Sequence, residues 1–235
     1  DTLQNQPNTY WKTFKFINTM ILDGIKHGCL EKEDNPFKEF DRGRYKDPEN
    51  KSLDLDDCTA LEVLISRKDI PEMVRKVGIY FLLMAYSGLR FEDAINFDAE
   101  VNIVDDRLIY DTRKFDVTVK MKIYSRLETI VNLIRDNHLT LTNQQFNKWL
   151  KVVFTLAGLP EEMATSHKGR HLFGSTLAEA GISTEQAQKL LGHKDINSTK
   201  TYYHIKNKAL DAAIDKVDQL KPPAPKHDLQ QRQMA

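Results

Sequence analysis

The amino-acid sequence predicts a mainly α-helical protein with one small antiparallel β-sheet. Apolar residues recur at helical spacing over residues 7–28, and helical periodicity also dominates from residue 127 to residue 220. Residues 101–123 instead form short β-rich runs, VNIV, RLIYDT and DVTVKMKI, which the turn sequences DD and KFD separate. We therefore expect a helical chain that a single small sheet interrupts.

The N-terminal segment predicts one long helix. Gly28 is a suitable stop for it, and its apolar residues are Trp11, Phe14, Phe16, Ile17, Met20, Ile21 and Ile25. Because about forty residues seldom bury enough apolar surface to fold alone, we interpret residues 1–40 as the last part of a helical domain. The chain begins at Asp1 rather than Met, so we expect it to be a piece of a longer protein.

A linker is predicted next. The stretch DRGRYKDPENKS is polar, contains Gly and Pro, and has no periodicity. We therefore assign residues 41–53 to a linker and residues 54–220 to a second domain. Residues 221–235 are rich in Pro and Gln, which predicts a disordered tail.

Two helices open the second domain. Asp54 suits the N-cap of a helix that runs through Ile65, and this role explains the local acidic cluster without a metal. No His or Glu accompanies that cluster, which disfavours a metal site. Pro71 begins a second helix, MVRKVGIYFLLMAYSG, that ends at Gly88. This helix is apolar all round, so we expect it to be buried in the core.

Composition excludes several classes of protein. No apolar run approaches the length that a bilayer needs, and the N-terminus lacks the pattern of a secretory signal. Cys29 and Cys58 cannot make a disulfide framework, which favours a reducing cytoplasm. The formal net charge is zero, with 34 basic and 34 acidic residues. From residue 166 to 208, however, basic residues outnumber acidic ones seven to three. This region is either a polyanion-binding surface or a solvated helix face.

Several chemically active side chains lie at predicted helix ends and turns. They are Arg90, Lys114, His167, Arg170, His193 and the adjacent Tyr202 and Tyr203. Two arginines, a lysine, two histidines and a tyrosine, with no carboxylate cluster for Mg²⁺, suit metal-free attack on a phosphodiester. The guanidinium groups would hold nonbridging oxygens, and fixed cations would meet the developing charge.

Four sequence boxes resemble those of the tyrosine recombinases, the integrases of phages and conjugative transposons and the Xer-type resolvases. In chain order they are SGLRFEDA, TRKFDVTVKM, SHKGRHLFGSTLAEAG and LLGHKDINSTKTYYH. The resemblance extends over residues 8–220, and the N-terminal helix with NPF resembles the last part of the family's core-binding domain. It implies the family's DNA breaking and rejoining fold, with residues 54–220 as the catalytic domain.

The resemblance also implies roles for single residues. Arg90 and Arg170 would clamp the scissile phosphate, His193 would hold a phosphate oxygen, and Lys114 would protonate the leaving 5′ hydroxyl. Tyr202 would be the nucleophile, since it lies nine residues after His193. The other implied members are His167 in proton transfer, Asp93 as supporting acid and His171 behind the His-x-x-Arg box. No metal or other cofactor is expected.

Periodicity gives Tyr203 a different role. Tyr203 falls on a helical stripe with Leu210, Ile214 and Val217, whereas Tyr202 is rotated about 100° away from that stripe. We therefore interpret Tyr203 as a packing residue.

The sequence departs from the family pattern at a few positions. Leu172 and Gly174 stand where Thr and Ala are more usual, and Glu92 replaces a small polar residue. Ile123 and Tyr124 occupy a place where Pro and Leu are common, which leaves open a DNA contact by Tyr124. None of these departures removes a catalytic group.

The implied reaction is site-specific recombination through a 3′-phosphotyrosine intermediate. The implied partners are double-stranded DNA, a homotetramer on two duplexes and accessory DNA-bending proteins. Exchange of the helix over residues 205–220 would join the subunits, and the isolated piece would be monomeric. A mobile element in the bacterial cytoplasm, at the nucleoid, is the implied setting.

The sequence also admits three alternatives. A type IB topoisomerase uses the same chemistry, although the Xer-like spacing favours a recombinase. A zinc hydrolase could use His167, His171 and His193, but the glutamate base is absent. A non-catalytic DNA-binding module would require a broken box, and every box is intact.

Overall fold

A computed structural model describes residues 7–38 and 52–203. The chain divides into two compact units between residues 51 and 52. The predicted linker up to residue 51, the predicted helix over residues 205–220 and the predicted tail lie outside the described residues. Over the described ranges, no helix combines the length and apolarity that crossing a bilayer would take.

The first unit contains the predicted N-terminal helix, α1 (Pro7–Lys26). Gly28 ends it as predicted, with a φ of +72° and its N–H bonded to Ile25 O at 3.1 Å. Phe14 is buried and packs edge-on against Phe37, with 4.4 Å between ring centres. The predicted apolar stripe is only partly buried, because Phe16 and two other members stay exposed.

The second unit is mainly helical, with one sheet in its first half. Its elements are α2 (Leu55–Ser66), α3 (Glu72–Ser87), α4 (Phe91–Ile95), α5 (Ala99–Asn102), β1 (Ile103–Val104), β2 (Arg107–Asp111), β3 (Thr118–Lys122), α6 (Ser125–Arg135), α7 (Asn143–Ala157), α8 (Ser166–Glu179), α9 (Thr184–Leu191) and α10 (Asn197–Lys200). Short 3₁₀ turns cover Lys32–Asp34 in the first unit and Glu161–Met163 in the second. The predicted fold class is confirmed.

The first two helices of this unit begin and end where local chemistry predicts. The Asp54 carboxylate accepts the N–H groups of Asp56 and Asp57 at 2.9 and 3.0 Å. Asp57 in turn accepts the Asp54 N–H at 2.9 Å, which completes a capping box. Helix α3 follows Pro71 and ends at Gly88, whose φ is +71°. It packs against α2, α6, α7 and α8, and it is buried throughout its second half, so it is the core of this unit.

The sheet has the order β1-β2-β3, with both pairs antiparallel. Leu108 pairs with Met121 and Tyr110 with Val119, and these four side chains form its buried face. The prediction for the first run was only partly right. Its first two residues are helical, because the Asp98 carboxylate accepts the Glu100 N–H at 2.8 Å and caps α5.

The end of α9 lies directly on the hairpin of β2 and β3. Gly192 ends α9 with a φ of +58°. A Cβ at this position would lie 2.7 Å from Thr112 Cγ2 and 2.8 Å from Val119 Cγ2. Only a glycine allows this approach, which brings the residue after it, His193, next to the hairpin.

Candidate active site

Arg170 is the most deeply buried charge of the site. It lies on α8 with 2% of its surface exposed. Its Nη1 donates to Gly88 O and its Nη2 to Leu191 O, both at 2.6 Å, so it joins the C-terminal ends of α3 and α9. Burial and the nearby Arg90 lower the pKa of Arg170 to about 10. The guanidinium is therefore charged at neutral pH and favours an anion beside it.

Arg90 and Lys114 meet at one aromatic ring. Arg90 precedes α4, and its Cζ lies 5.3 Å from the ring centre of Phe115. The Lys114 Nζ lies 5.3 Å from the same ring centre. Asp93 ties these segments together, because its Oδ1 accepts the Arg113 N–H at 3.1 Å. The fold thus brings the hairpin lysine to the arginine that follows α3.

Three histidine rings surround Tyr202. His167 and His171, one turn apart on α8, meet edge to face with 4.4 Å between their centres. The His171 ring centre is 5.2 Å from that of Tyr202, and the His193 ring lies parallel to Tyr202 at 6.3 Å. His193 Nδ1 forms a 2.8 Å hydrogen bond with Thr199 Oγ1, whose donor depends on the histidine tautomer. This bond occupies Nδ1 and leaves Nε2 as the nitrogen that can contact a ligand.

His171 and His193 are neutral at pH 7. Burial, followed by the charge of Arg170, lowers the pKa of His193 to about 4. Burial, followed by His167, lowers the pKa of His171 to about 4 as well. The pKa of His167 is lowered by the same desolvation and by neighbouring cations, although a large part of its ring is exposed. The positive charge of the site therefore comes from its arginines and lysine.

Tyr202 is half-buried against α8. A Cβ on Gly174 would lie 2.8 Å from three of its ring atoms, so the ring rests directly on the helix backbone. Burial raises the pKa of Tyr202, while the charges of Arg170 and Arg90 and a hydrogen bond from Arg170 act in the opposite direction. The Tyr202 hydroxyl therefore faces the buried arginine.

Tyr203 points elsewhere. Its hydroxyl donates to Ile182 O at 2.7 Å, away from the histidines and arginines. This bond anchors the segment to the start of α9, as expected of a packing residue. The other members of its predicted stripe lie outside the described residues.

The structure brings all eight sequence-predicted residues into one region, and it adds two that the sequence analysis missed. Thr199 is fully buried and orients His193, and Phe115 joins Arg90 to Lys114. Neither carries a local signal, since both act through contacts that only the fold creates. The Tyr124 hydroxyl donates to Tyr86 O at 2.9 Å, which gives this residue a packing contact.

The histidines of this site are not arranged to hold a metal ion. Over residues 7–38 and 52–203, no three His, Cys, Asp or Glu side chains are placed to hold one metal ion. The acidic cluster at Asp54 caps α2, as predicted.

Comparisons with known proteins agree on one family. Residues 61–209 match the model of the phage integrase family. The tyrosine recombinase XerD of Rickettsia bellii (strain RML369-C) is 27% identical over 77% of this chain and 68% of that protein. The XerD of Rickettsia prowazekii (strain Madrid E) is also 27% identical, over 77% and 67%.

Solved structures share the fold. The Tn1549 transposon integrase in complex with a circular intermediate DNA has a TM-score of 0.62 at 16% identity, over 85% of this chain and 76% of that one. A lambda integrase dimer bound to a COC′ core site gives 0.58 at 18% identity, over 80% and 70%. The XerH recombinase bound to difH gives 0.55 at 19% identity over 72% of this chain, which spans about half (53%) of XerH. The chain belongs to the phage integrase family of tyrosine recombinases.

Proposed function

We propose that this protein is a site-specific DNA recombinase that cleaves and rejoins DNA strands through a 3′-phosphotyrosine intermediate. One observation carries the proposal: Tyr202 lies beside Arg170, whose charge acts to lower the tyrosine pKa, and Arg170 is a buried cation whose Nη atoms donate to backbone carbonyls. A nucleophile beside a buried cation is the arrangement that attack on an anionic phosphodiester requires. The similarity to XerD recombinases and the family match support it.

The phosphate would lie between the two arginines. Arg90 and Arg170 hold its nonbridging oxygens, and removal of one such donor typically costs about 3–4 kcal/mol of transition-state stabilisation. His193 donates from Nε2 to a third oxygen when Thr199 donates to Nδ1. The pKa of His193 is low, so its imidazole is neutral and binds the oxygen as a hydrogen-bond donor without adding a positive charge to the site.

Tyr202 then attacks phosphorus. A free tyrosine has a pKa near 10, so about one part in a thousand is phenolate at neutral pH, which is an unfavourable contribution of roughly 4 kcal/mol. The arginines lower that cost. The Tyr202 oxygen forms a bond to phosphorus as the bond to the 5′ oxygen breaks, and Lys114 supplies the proton to that oxygen. His167 accepts the tyrosine proton, directly or through His171, which lies between them.

The linkage conserves the energy of the broken bond. The 5′ hydroxyl of a second strand can attack the phosphotyrosine and release Tyr202 without ATP. A complete exchange requires four such sites, so the active form would be a homotetramer on two duplexes, joined by the helix predicted over residues 205–220. We also propose that the protein belongs to a mobile genetic element, acts at the nucleoid in the bacterial cytoplasm and works with accessory DNA-bending proteins. The similarity to bacterial XerD recombinases and to a transposon integrase supports this setting.

Covalent trapping tests the proposal. The protein is incubated with nicked duplexes from DNA that flanks its gene, and denaturing gels separate protein joined to DNA from free protein. We expect an adduct with the parent and with Tyr203→Phe, but none with Tyr202→Phe. An adduct lost only in Tyr203→Phe would refute the assigned nucleophile. Bound DNA without an adduct in any protein would refute the reaction, and relaxation of a plasmid that lacks a target site would indicate a topoisomerase.

A further inference from the structure

Three buried side-chain atoms beside the site have no hydrogen-bond partner among the described residues. They are Arg90 Nη1, Asp93 Oδ2 and the Tyr110 hydroxyl. Leaving a buried polar atom unpaired destabilises the folded state, so native proteins contain few such atoms. A cluster of three next to the proposed phosphate site indicates a function for them together.

The three atoms are chemically complementary. The guanidinium nitrogen can only donate, the carboxylate can only accept, and the hydroxyl can do both. Burial raises the pKa of the Tyr110 hydroxyl. The charges of Arg170 and Arg90 lower this pKa, and the charge of Asp93 raises it. These three charged side chains therefore lie within electrostatic reach of the hydroxyl. These atoms do not bond one another in the structure, but one arrangement would satisfy all three: Arg90 Nη1 would donate to the Tyr110 oxygen, and the Tyr110 O–H would donate to Asp93 Oδ2.

The burial of Arg90 Nη1 indicates that its hydrogen-bond acceptor lies inside the protein. This nitrogen has almost no contact with solvent and no hydrogen-bond partner among the described residues. It needs an acceptor inside the protein, and Tyr110 on β2, with 7% of its surface exposed, supplies one. The remaining guanidinium nitrogens stay available for the substrate.

The neighbourhood connects Tyr110 to the rest of the site. Asp93 uses its other oxygen to hold the Arg113 N–H, next to Lys114. A cavity of about 160 Å³ lies beside Asp93 and Tyr110, and its further polar lining comes from Asn96, Asn102, Asp111 and Arg113. It gives the hydroxyl and the carboxylate room to approach each other.

We propose that Tyr110 is a positioning residue of strand cleavage, whose hydroxyl links Arg90 to Asp93 and thereby fixes the Arg90 guanidinium for the scissile phosphate. This proposal rests on the proposed function. Tyr110 does not touch the reacting atoms, and its effect passes through Arg90.

Tyr110→Phe tests the proposal because it keeps the ring and removes only the hydroxyl. We expect the single-turnover cleavage rate of a nicked duplex to fall at least 10-fold, with the Kd for that duplex within 2-fold of the parent. The unfolding temperature should fall slightly, because removing the hydroxyl leaves Arg90 Nη1 and Asp93 Oδ2 unpaired. A purely structural role would lower stability and leave the rate alone. A parental cleavage rate in Tyr110→Phe overturns the proposal.

Tyr80→Phe is the matched control. Tyr80 is also buried, on α3, but its hydroxyl is hydrogen-bonded to the Leu139 backbone, away from the site. This variant should lose stability and keep the parental cleavage rate. The same chemical change at two buried tyrosines thus separates positioning from packing.

A double-mutant cycle tests the route through Asp93. In an Asp93→Asn background, Tyr110→Phe should reduce the cleavage rate less than 2-fold further, because the link is already broken. Effects that multiply would show that the hydroxyl acts independently of Asp93 and would overturn the proposal.

A second measurement does not depend on cleavage and separates this proposal from the proposed function. Inorganic phosphate should raise the unfolding temperature of the parent, and Tyr110→Phe should halve that increase. Equal increases in the two proteins overturn the positioning role. A parent that binds phosphate but forms no DNA adduct would instead refute the proposed function.

Discussion

Gly174→Ala should slow strand cleavage by displacing the Tyr202 ring. The added Cβ would lie 2.8 Å from three ring atoms, and ordinary carbon contacts begin near 3.5 Å, so the ring has to retreat by roughly 0.7 Å or more. A misplacement of about 1 Å at a reacting group can cost about 100-fold in rate. We therefore expect the cleavage rate to fall about 10- to 100-fold at an unchanged Kd for DNA.

Stability should respond differently. Alanine favours the interior of α8 over glycine by about 1 kcal/mol, while overpacking costs about 1–3 kcal/mol, so the two effects largely cancel. The assay is single-turnover cleavage of a nicked duplex, with chemical unfolding measured in parallel. Ser175→Ala on the same helix is the control and should cleave at the parental rate.

Two outcomes would refute this reasoning. A parental rate in Gly174→Ala would show that the observed ring position does not matter for attack. A faster rate would show that the ring must leave Gly174 before it reacts.

Four further predictions concern other parts of the structure. Arg170→Lys should abolish detectable cleavage and lower the free energy of unfolding by about 2–4 kcal/mol, because two buried carbonyls lose a charged donor; denaturant titration measures this. Thr199→Val should cut cleavage at least 10-fold, whereas Thr199→Ser restores it, because only the hydroxyl can orient His193; matching rates in the two variants would contradict this. The pKa values of His171 and His193 lie near 4, below the ordinary 6.5, so between these pH values the unfolded chain binds protons that the folded one does not. Their contribution to stability is complete above pH 6.5 and is lost as the pH falls toward 4, by about 1 kcal/mol per histidine at pH 5 after solvent screening; urea midpoints that do not change from pH 7 to 5 would be inconsistent with it. Asp54→Ala should lower the free energy of unfolding by about 1 kcal/mol without changing the cleavage rate, and an unchanged urea midpoint would show that the cap contributes nothing.

Local chemistry explains why much of the fold could be predicted. Asp54, Pro71 and Gly88 set helix ends through their own hydrogen bonds and dihedral angles, which depend little on the rest of the chain. The first β-rich run is an exception to this agreement. The run VNIV has the composition of a strand, but the Asp98 cap stabilises a helix over its first half. A cap and a β-rich run compete there, and composition alone does not tell which one wins.

The sequence predicts which residues form the candidate site, but it does not predict which atoms these residues contact. The candidate catalytic groups were predicted from motif spacing and family resemblance. The acceptors of Arg170 lie 82 and 21 residues away in sequence, and no periodicity links them to it. Tyr110 looked like an ordinary strand residue for the same reason. Its significance comes from two unpaired atoms on a different element, which only the folded chain places beside it.

The contact at Gly192 has a consequence for how the site is assembled. Because not even a methyl group fits between the end of α9 and the hairpin, the two surfaces are in direct contact at Gly192. Lys114 belongs to one surface and His193 to the other. In the proposed mechanism, the proton donor and the phosphate-binding imidazole would therefore keep their relative positions when the hairpin moves.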